Sequence, residues 1–274
     1  MQKVLNFDYP GLSLGTVSDP APSPELFHRH LHDTYEILYV AHGRGRYIVE
    51  GNTYTMRSGS LILVSPYVYH SVEIDPAVPY ERYIINFAPA QIPEVSKLIE
   101  TFDLREGSLF YTAASVSSAL WQALEKISLL STIPKEHQPS YARLILSEIL
   151  ILLSTADTAK AEESEALGAR VIKYLNSHAE IEKDLSLDTI ARHFFVSKYY
   201  LCRAFKRHNG ISIHGYLTQK RVMYAKQLME SGETASGAAY RVGFGDYSAF
   251  YRACLKVTGR SPLSIQKKGD REDV

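Results

Sequence analysis

The chain has 274 residues, enough for two domains with a core in each, and its 45% apolar content is ordinary for a globular protein. No run of about 18 apolar residues exists, which excludes a membrane-spanning helix. Net charge is zero overall, yet residues 1–166 hold 12 Lys and Arg against 20 Asp and Glu, while residues 167–274 hold 18 against 10. A basic C-terminal half suits a polyanion such as DNA; simple attraction between the two halves is the other reading of the same split. The opening MQKVLNFDYPG lacks the apolar centre of a signal peptide, so a cytoplasmic protein with reduced thiols at Cys202 and Cys254 is expected.

Residues 1–27 are rich in Pro and Ser and read as an arm with a short edge strand. From 28 to 88 the pattern changes to strands. Short runs at Tyr35–Val40, Arg46–Glu50, Thr53–Met56, Ser60–Val64, Ser71–Ile74 and Tyr80–Phe87 are separated by Gly and Pro signals. Gly51-Asn52 predicts a hairpin turn. Six short strands at this spacing predict a small barrel or sandwich.

One segment of the barrel carries chemistry. His30-Leu31-His32, three residues, Glu36, six residues, Gly43 resembles the first motif of the cupin barrel. Gly59 through Pro66 to His70 resembles the second, with Ser65 and Tyr67 where that pattern has Pro and Gly. On a regular strand His30, His32 and Glu36 share one side. In cupin enzymes these positions, with a histidine like His70, hold a divalent metal, and three imidazoles and a carboxylate suit Zn, Mn, Fe or Ni. Three readings stay open: a small-molecule pocket, a metal site, and a barrel without ligand that clamps a dimer. The pocket is the favoured reading, with no cofactor, and its candidate effector-binding residues are His30, His32, Tyr35, Glu36, Tyr47 and His70. The many strand tyrosines suit a sugar by stacking and hydrogen bonding, although ordinary strand packing explains most of them individually.

Residues 91–155 read as helices at Ile92–Phe102, Val116–Leu130 and Tyr141–Leu153. The last is apolar on nearly every side and needs cover on each, one face against the barrel and one against a twin helix in a homodimer. Residues 156–166 are small, polar and acidic and read as a linker. The first domain therefore spans 1–155 and the second 167–270.

The second domain contains the same short pattern twice. Leu201-Cys202-Arg203-Ala204-Phe205-Lys206 precedes Asn209-Gly210-Ile211-Ser212; forty-nine residues later, Phe250-Tyr251-Arg252-Ala253-Cys254-Leu255 precedes Thr258-Gly259-Arg260-Ser261. From small-residue pivot to apolar anchor the gap is 10 residues in the first copy (Ala191 to Leu201) and 11 in the second (Ala239 to Phe250). Each copy reads as a helix-turn-helix, over 187–208 and 235–257, with one extra residue in the second turn. Helix 168–178 packs behind the first copy, and helix 213–230, about 27 Å long, can set the two recognition helices near one turn of B-DNA apart. The tail from Lys267 is charged and is expected to lack order.

Ala238-Ala239-Tyr240-Arg241-Val242-Gly243-Phe244, then Asp246 through Arg252, then Thr258-Gly259-Arg260-Ser261-Pro262 resemble the DNA-binding domain of the AraC/XylS transcriptional regulators. The resemblance covers about a hundred residues, roughly 168–268. It implies an α+β protein of two domains: an N-terminal cupin-like barrel or jelly roll with flanking helices, and an all-α domain with two helix-turn-helix motifs. It implies a non-enzymatic regulator, more often an activator, that binds double-stranded promoter DNA in response to a small molecule, with RNA polymerase as a further partner. The rival is a metal-dependent cupin enzyme fused to a DNA-binding half.

On DNA, Lys198, Tyr199, Tyr200, Arg203 and Arg207 can reach the groove from the first copy, and Tyr247, Ser248, Tyr251 and Arg252 from the second. Lys206 and Lys220 suit phosphates, as do Ser197 and Ser248 beside the backbone amides of each helix start. The family has isoleucines at Ala235 and Ala238, Phe at Cys254 and Lys at Leu255. Gly237 also sits inside a helix at a cost of about 1 kcal/mol against alanine. The second copy is therefore expected to be the less stable, with Tyr240 or Tyr251 filling its core.

Overall fold

The computed structural model describes residues 2–23, 29–104, 107–162, 166–178 and 186–269. The chain divides into two units between Ser164 and Glu165. Among the described residues the first holds nine strands: β1 (Gln2–Tyr9), β2 (Leu12–Asp19), β3 (Tyr35–His42), β4 (Arg44–Val49), β5 (Asn52–Arg57), β6 (Leu61–Val64), β7 (His70–Ile74), β8 (Tyr80–Phe87) and β9 (Ser108–Tyr111). They form an antiparallel sheet in the order β1-β2-β8-β3-β6-β9 and a second in the order β5-β4-β7.

The large sheet is buried on both faces, which explains the unbroken apolar runs of β3 and β6. Alternate residues part company. Ile37, Tyr39, Leu61 and Leu63 face a cluster completed by helices, whereas Leu38, Val40, Ile62 and Val64 face Tyr47, Val49, Met56 and Ile74 of the small sheet. The helices are α1 (Ser96–Ile99), α2 (Ser118–Glu125) with a 3-10 continuation over Lys126–Thr132, and α3 (Gln138–Ser154). Trp121 of α2 lies 5.3 Å from the ring of Tyr39.

Several expectations are corrected here. The arm of 1–27 is in its described part a hairpin of two eight-residue strands, turned at Pro10-Gly11, with β2 paired along β8. The β4–β5 turn is Glu50-Gly51, not Gly51-Asn52, because Val49 pairs with Asn52. Both turn residues have positive φ (46° and 82°), as the tight hairpin turn that matches strand twist demands. Glu50 tolerates this because its backbone amide donates to the Tyr69 carbonyl and its carboxylate accepts from the Tyr69 amide, both at 3.0 Å. The helix expected over Ile92–Phe102 shrinks to α1, since Pro93 disfavours helix at Ile92 and offers no amide of its own. Ile92 and Ile99 are buried all the same. Strand β9 stands where only helices were expected. The segment 156–166 is not free throughout: the Ala159 amide donates to the Phe110 carbonyl and the Glu162 amide to the Thr53 carbonyl, both at 2.7 Å, so it straps across β9 and β5.

The second unit is helical: α4 (Leu167–His178), α5 (Leu187–His193), α6 (Lys198–Asn209), α7 (Ile213–Glu230), α8 (Ala235–Arg241), α9 (Tyr247–Thr258) and α10 (Pro262–Gly269). Their starts follow capping chemistry. Ser186, Ser197, Ser212, Thr234 and Asp246 each accept a hydrogen bond from the backbone amide three residues on. Gly210 and Gly259, at φ near 70°, end the two recognition helices α6 and α9. Helix α10 takes up residues 267–269 of the expected tail, and Ser261-Pro262 is the start signal that sequence reading passed over. Tyr240 is 74% exposed and Tyr251 37%, so neither fills the second core. Val242, Met229, Phe250 and Ile265 close it instead around the alanines, with Cys254 fully buried.

The extra residue of the second turn is now located. The Val196 amide bonds the Ala191 carbonyl and the Phe244 amide bonds the Ala239 carbonyl, so Phe195 corresponds to Gly243 and the insertion is Gly245. Both corresponding residues have positive φ, 54° at Phe195 and 85° at Gly243. The second copy meets the turn's demand with glycine; the first places a phenylalanine there, 96% exposed.

Candidate nucleic-acid interface and a buried histidine cluster

Helix α6 is anchored by Leu201 and Phe205, both fully buried, and by Asn209, whose amide nitrogen donates to the Gly168 carbonyl at 3.2 Å. Its opposite side is left to solvent. Ser197, Lys198, Tyr199, Tyr200, Arg203, Lys206 and Arg207 are all exposed. The row is partly organised: Arg203 donates from Nη1 to the Tyr199 hydroxyl at 3.1 Å and stacks over its ring at 5.4 Å. Lys198 instead lies 2.9 Å from the Asp188 carboxylate, joining the starts of α5 and α6. Lys220, on α7, is half-buried with its ammonium 5.8 Å from the centre of the Tyr216 ring. In the second copy Tyr247, Ser248, Tyr251 and Arg252 are exposed on α9 above buried Phe250 and Cys254. Such surfaces, cation and aromatic on one side and core on the other, can address phosphates and base edges of a duplex. Sequence reading missed Phe195, because nothing in local pattern announces an exposed aromatic in a left-handed backbone.

The barrel site forms by a different route from that expected. Strand β3 begins only at Tyr35, so regular alternation does not bring the histidines together. His30 pairs with His70 as an isolated antiparallel bridge, each amide bonded to the other's carbonyl at 3.0 Å. The His30 and His70 rings are then 4.3 Å apart, and those of His32 and His70 4.9 Å. The donor atoms of His30, His32, Glu36 and His70 all lie within 4.8 Å of one another. Glu36, buried, accepts from the Tyr47 hydroxyl at 2.6 Å and lies 3.3 Å from His32 Nε2 and 3.8 Å from His70 Nε2. Tyr35 does not join them. It points to the other face of the large sheet and stacks on Phe87 at 5.3 Å.

Electrostatics follow the burial. Desolvation alone would raise the Glu36 pKa, but hydrogen bonds from His32 and Tyr47 and the neighbouring imidazoles hold it down at about 2. Burial pushes His70 down to about 4, against the pull of the Glu36 charge. At His32, burial is outweighed by the bond and charge of Glu36, and its pKa rises. Burial and the same carboxylate push the Tyr47 phenol well up. Tyr39, Tyr47, Tyr54, Tyr69 and Tyr80 are buried, so those rings serve packing.

A strand-built sensor-like unit and a helical unit with two capped helix-turn-helices define a two-domain DNA-binding regulator. The AraC-like ligand binding domain matches residues 22–168, and a helix-turn-helix domain family matches residues 190–268. The chain belongs to the AraC family of transcriptional regulators, with a ligand-binding domain and a sequence-specific DNA-binding domain. It is 24% identical over 258 residues to the HTH-type transcriptional activator RhaS of Enterobacter sp. (strain 638), covering 92% of each chain. It is 24% identical over 271 residues to RhaS of Klebsiella pneumoniae (strain 342), covering 96% of each. Among solved structures, ToxT from Vibrio cholerae matches at a TM-score of 0.37 and 12% identity, covering 93% of this chain and 98% of that one. The C-terminal domain of AraT from Geobacillus stearothermophilus matches at 0.35 and 30% identity, covering 38% of this chain and 88% of that domain. Among the described residues no helix is long and apolar enough to cross a membrane.

Proposed function

We propose that this regulator is a cytoplasmic, non-enzymatic activator that responds to a sugar-like effector in its N-terminal unit and engages RNA polymerase at the promoters it binds. The α6 surface carries the reading: an exposed row of Lys198, Tyr199, Tyr200, Arg203, Lys206 and Arg207 on a helix whose inward side is fully committed to the core. Activation draws on the similarity, over 92% of each chain, to a relative named as a transcriptional activator. The effector acts through differential affinity for two arrangements of the chain, one competent on DNA and one not.

A homodimer is part of the proposal. Leu144 and Ile151, seven residues apart on α3, are 67% and 50% exposed, and Leu129 of the 3-10 segment is 46% exposed. Residues seven apart share a helix side, and apolar groups exposed there suit a twin helix across a two-fold axis. Sedimentation at micromolar protein without DNA tests this, and a monomer throughout refutes it. The regulatory reading is tested by incubating the purified protein with fragmented host DNA and sequencing what is retained. Paired half-sites upstream of a transporter or catabolic operon support it; no enrichment at low salt, with or without candidate sugars, refutes it.

A further inference from the structure

We infer that His30, His32, Glu36 and His70 form a binding site for a divalent first-row transition metal of the zinc class. The inference goes beyond the regulatory reading and does not depend on it.

Four observations carry it. The donors are gathered from two separate stretches of chain, 30–36 and 70, to within 4.8 Å of one another. An ion with bonds of about 2.1 Å sets tetrahedral donors roughly 3.4 Å apart. The His32–Glu36 and His70–Glu36 separations of 3.3 and 3.8 Å already approach that spacing. The tautomers are also set: Nδ1 of His32 lies 2.8 Å from the Thr34 carbonyl and Nδ1 of His70 lies 2.9 Å from the Val68 carbonyl. A carbonyl only accepts, so each Nδ1 carries a proton; at His70 this leaves the Nε2 lone pair facing Glu36, and at His32 the Nε2 proton that Glu36 accepts is the one an ion would displace. That arrangement, with the far ring nitrogen bonded to a carbonyl, is how proteins orient metal-binding imidazoles. The carboxylate has its own outer support in the Tyr47 hydroxyl at 2.6 Å.

The fourth observation separates a ligand site from a self-satisfied hydrogen-bond cluster. His70 Nε2 is buried and makes no hydrogen bond. Buried polar atoms are almost always bonded, and each exception needs a cause. A coordinated ion supplies the missing partner to this lone pair and, at the same time, compensates the buried charge of Glu36. Three imidazoles and one carboxylate are borderline ligands, which favour zinc-class ions over calcium or magnesium. His30 is exposed, so an ion at this site has a route from solvent.

The backbone supports the same assignment. The cupin pattern has glycine where this chain has Tyr67, which in sequence looks like a lost motif. Tyr67 nevertheless holds φ 62°, the left-handed conformation a glycine supplies, and its amide donates to the His32 carbonyl at 2.8 Å. The turn that joins the two histidine-bearing stretches is therefore kept despite the side chain. Strain of this kind persists where surrounding structure over-determines it, and it concentrates at functional sites.

The test uses the full chain, stripped with a chelator and titrated with Zn(II) by calorimetry, with Co(II) as a spectroscopic probe. The expected result is one ion per chain, a higher Tm in the presence of metal, and Co(II) absorption bands of a site with nitrogen and oxygen donors. Removing exposed His30 as His30→Ala, which leaves the core intact, weakens binding at least tenfold. Tyr47→Phe, which removes only the outer hydroxyl, weakens it about ten- to a hundredfold. A His137→Ala control on exposed surface leaves affinity unchanged. Absence of stoichiometric binding at micromolar metal, or binding indifferent to His30→Ala and His32→Ala, overturns the site. DNA retention measured on the same samples keeps the two readings apart: protein that binds DNA but no metal overturns the metal site alone.

Discussion

Gly168 offers the sharpest test of how the DNA-binding unit is held together. It lies in the first turn of α4, where that helix crosses α6. A Cβ built on it would stand 2.4 Å from His208 Cβ and 2.8 Å from His208 Cγ. Carbon atoms in ordinary contact stand near 3.4 Å or beyond, so Gly168→Ala must part the two helices by about 1 Å. Two effects then compete. Alanine gains up to about 1 kcal/mol of helix propensity, and less in a first turn. Against this, overpacking costs about 1–3 kcal/mol, and parting the helices strains the buried bond from Asn209 to the Gly168 carbonyl, worth about 1 kcal/mol. The obstructing atom is the root of the His208 side chain, which no rotamer change can move. The net expectation is a loss of about 1–2 kcal/mol, read by calorimetry as a fall of roughly 5–10 °C in the transition of the C-terminal unit. Since α6 carries the candidate base-reading side chains, affinity for a retained DNA site falls as well, read by fluorescence anisotropy. A variant more stable than the parent, with unchanged DNA affinity, would refute the close approach and the role given to this crossing.

Three further outcomes follow from the same geometry. Arg203→Ala should lose about 1–3 kcal/mol of specific DNA binding, whereas Tyr199→Phe, which keeps the ring beneath the guanidinium, should lose less; unchanged affinity of Arg203→Ala for its operator in a gel-shift titration rejects the assignment. Phe195→Gly should stabilise the first helix-turn-helix by about 1 kcal/mol, because it relieves a left-handed conformation that the second copy assigns to Gly243; a lower Tm means that the ring has a partner in the folded chain. Amides of α8 and α9 should exchange with deuterium faster than those of α5 and α6, because alanines and Cys254 supply much of the second core where Leu201 and Phe205 anchor the first; equal protection contradicts that ranking.

The helical half was largely legible because its signals are local. Caps at Ser186, Ser197 and Asp246, terminal glycines at Gly210 and Gly259, and apolar pairs such as Leu201 and Phe205 lie within a few residues of what they specify; the first helix-turn-helix, read as 187–208, runs from Leu187 to Asn209, and the connecting helix, read as 213–230, is Ile213–Glu230. The strand half was less so. A sheet buried on both faces erases the alternation that marks a strand with one wet side, so β3 and β6 read only as apolar runs. β9 is four residues whose partner β6 is some fifty positions away. The hairpin of β1 and β2 gains its place from β8, seventy residues on, and no local pattern in a Pro- and Ser-rich stretch announces that pairing.

The histidine cluster shows the same division within one site. Its residue types were visible as a motif, and the reason given for their meeting was alternation along one strand. That reason fails, since His30 and His32 precede β3, yet the four side chains converge through the bridge between His30 and His70 and through the turn at Tyr67. A motif judged by residue identity had counted Tyr67 as a loss, because tyrosine resists the backbone a glycine adopts. The backbone adopts it regardless, at a conformational cost of about 1–2 kcal/mol. Only contacts distant in sequence can meet such a cost, among them the Tyr67 amide on the His32 carbonyl and the paired backbones of residues 30 and 70. What the chain preserves here is the turn rather than the glycine, and it is the turn that aims His70 at Glu36.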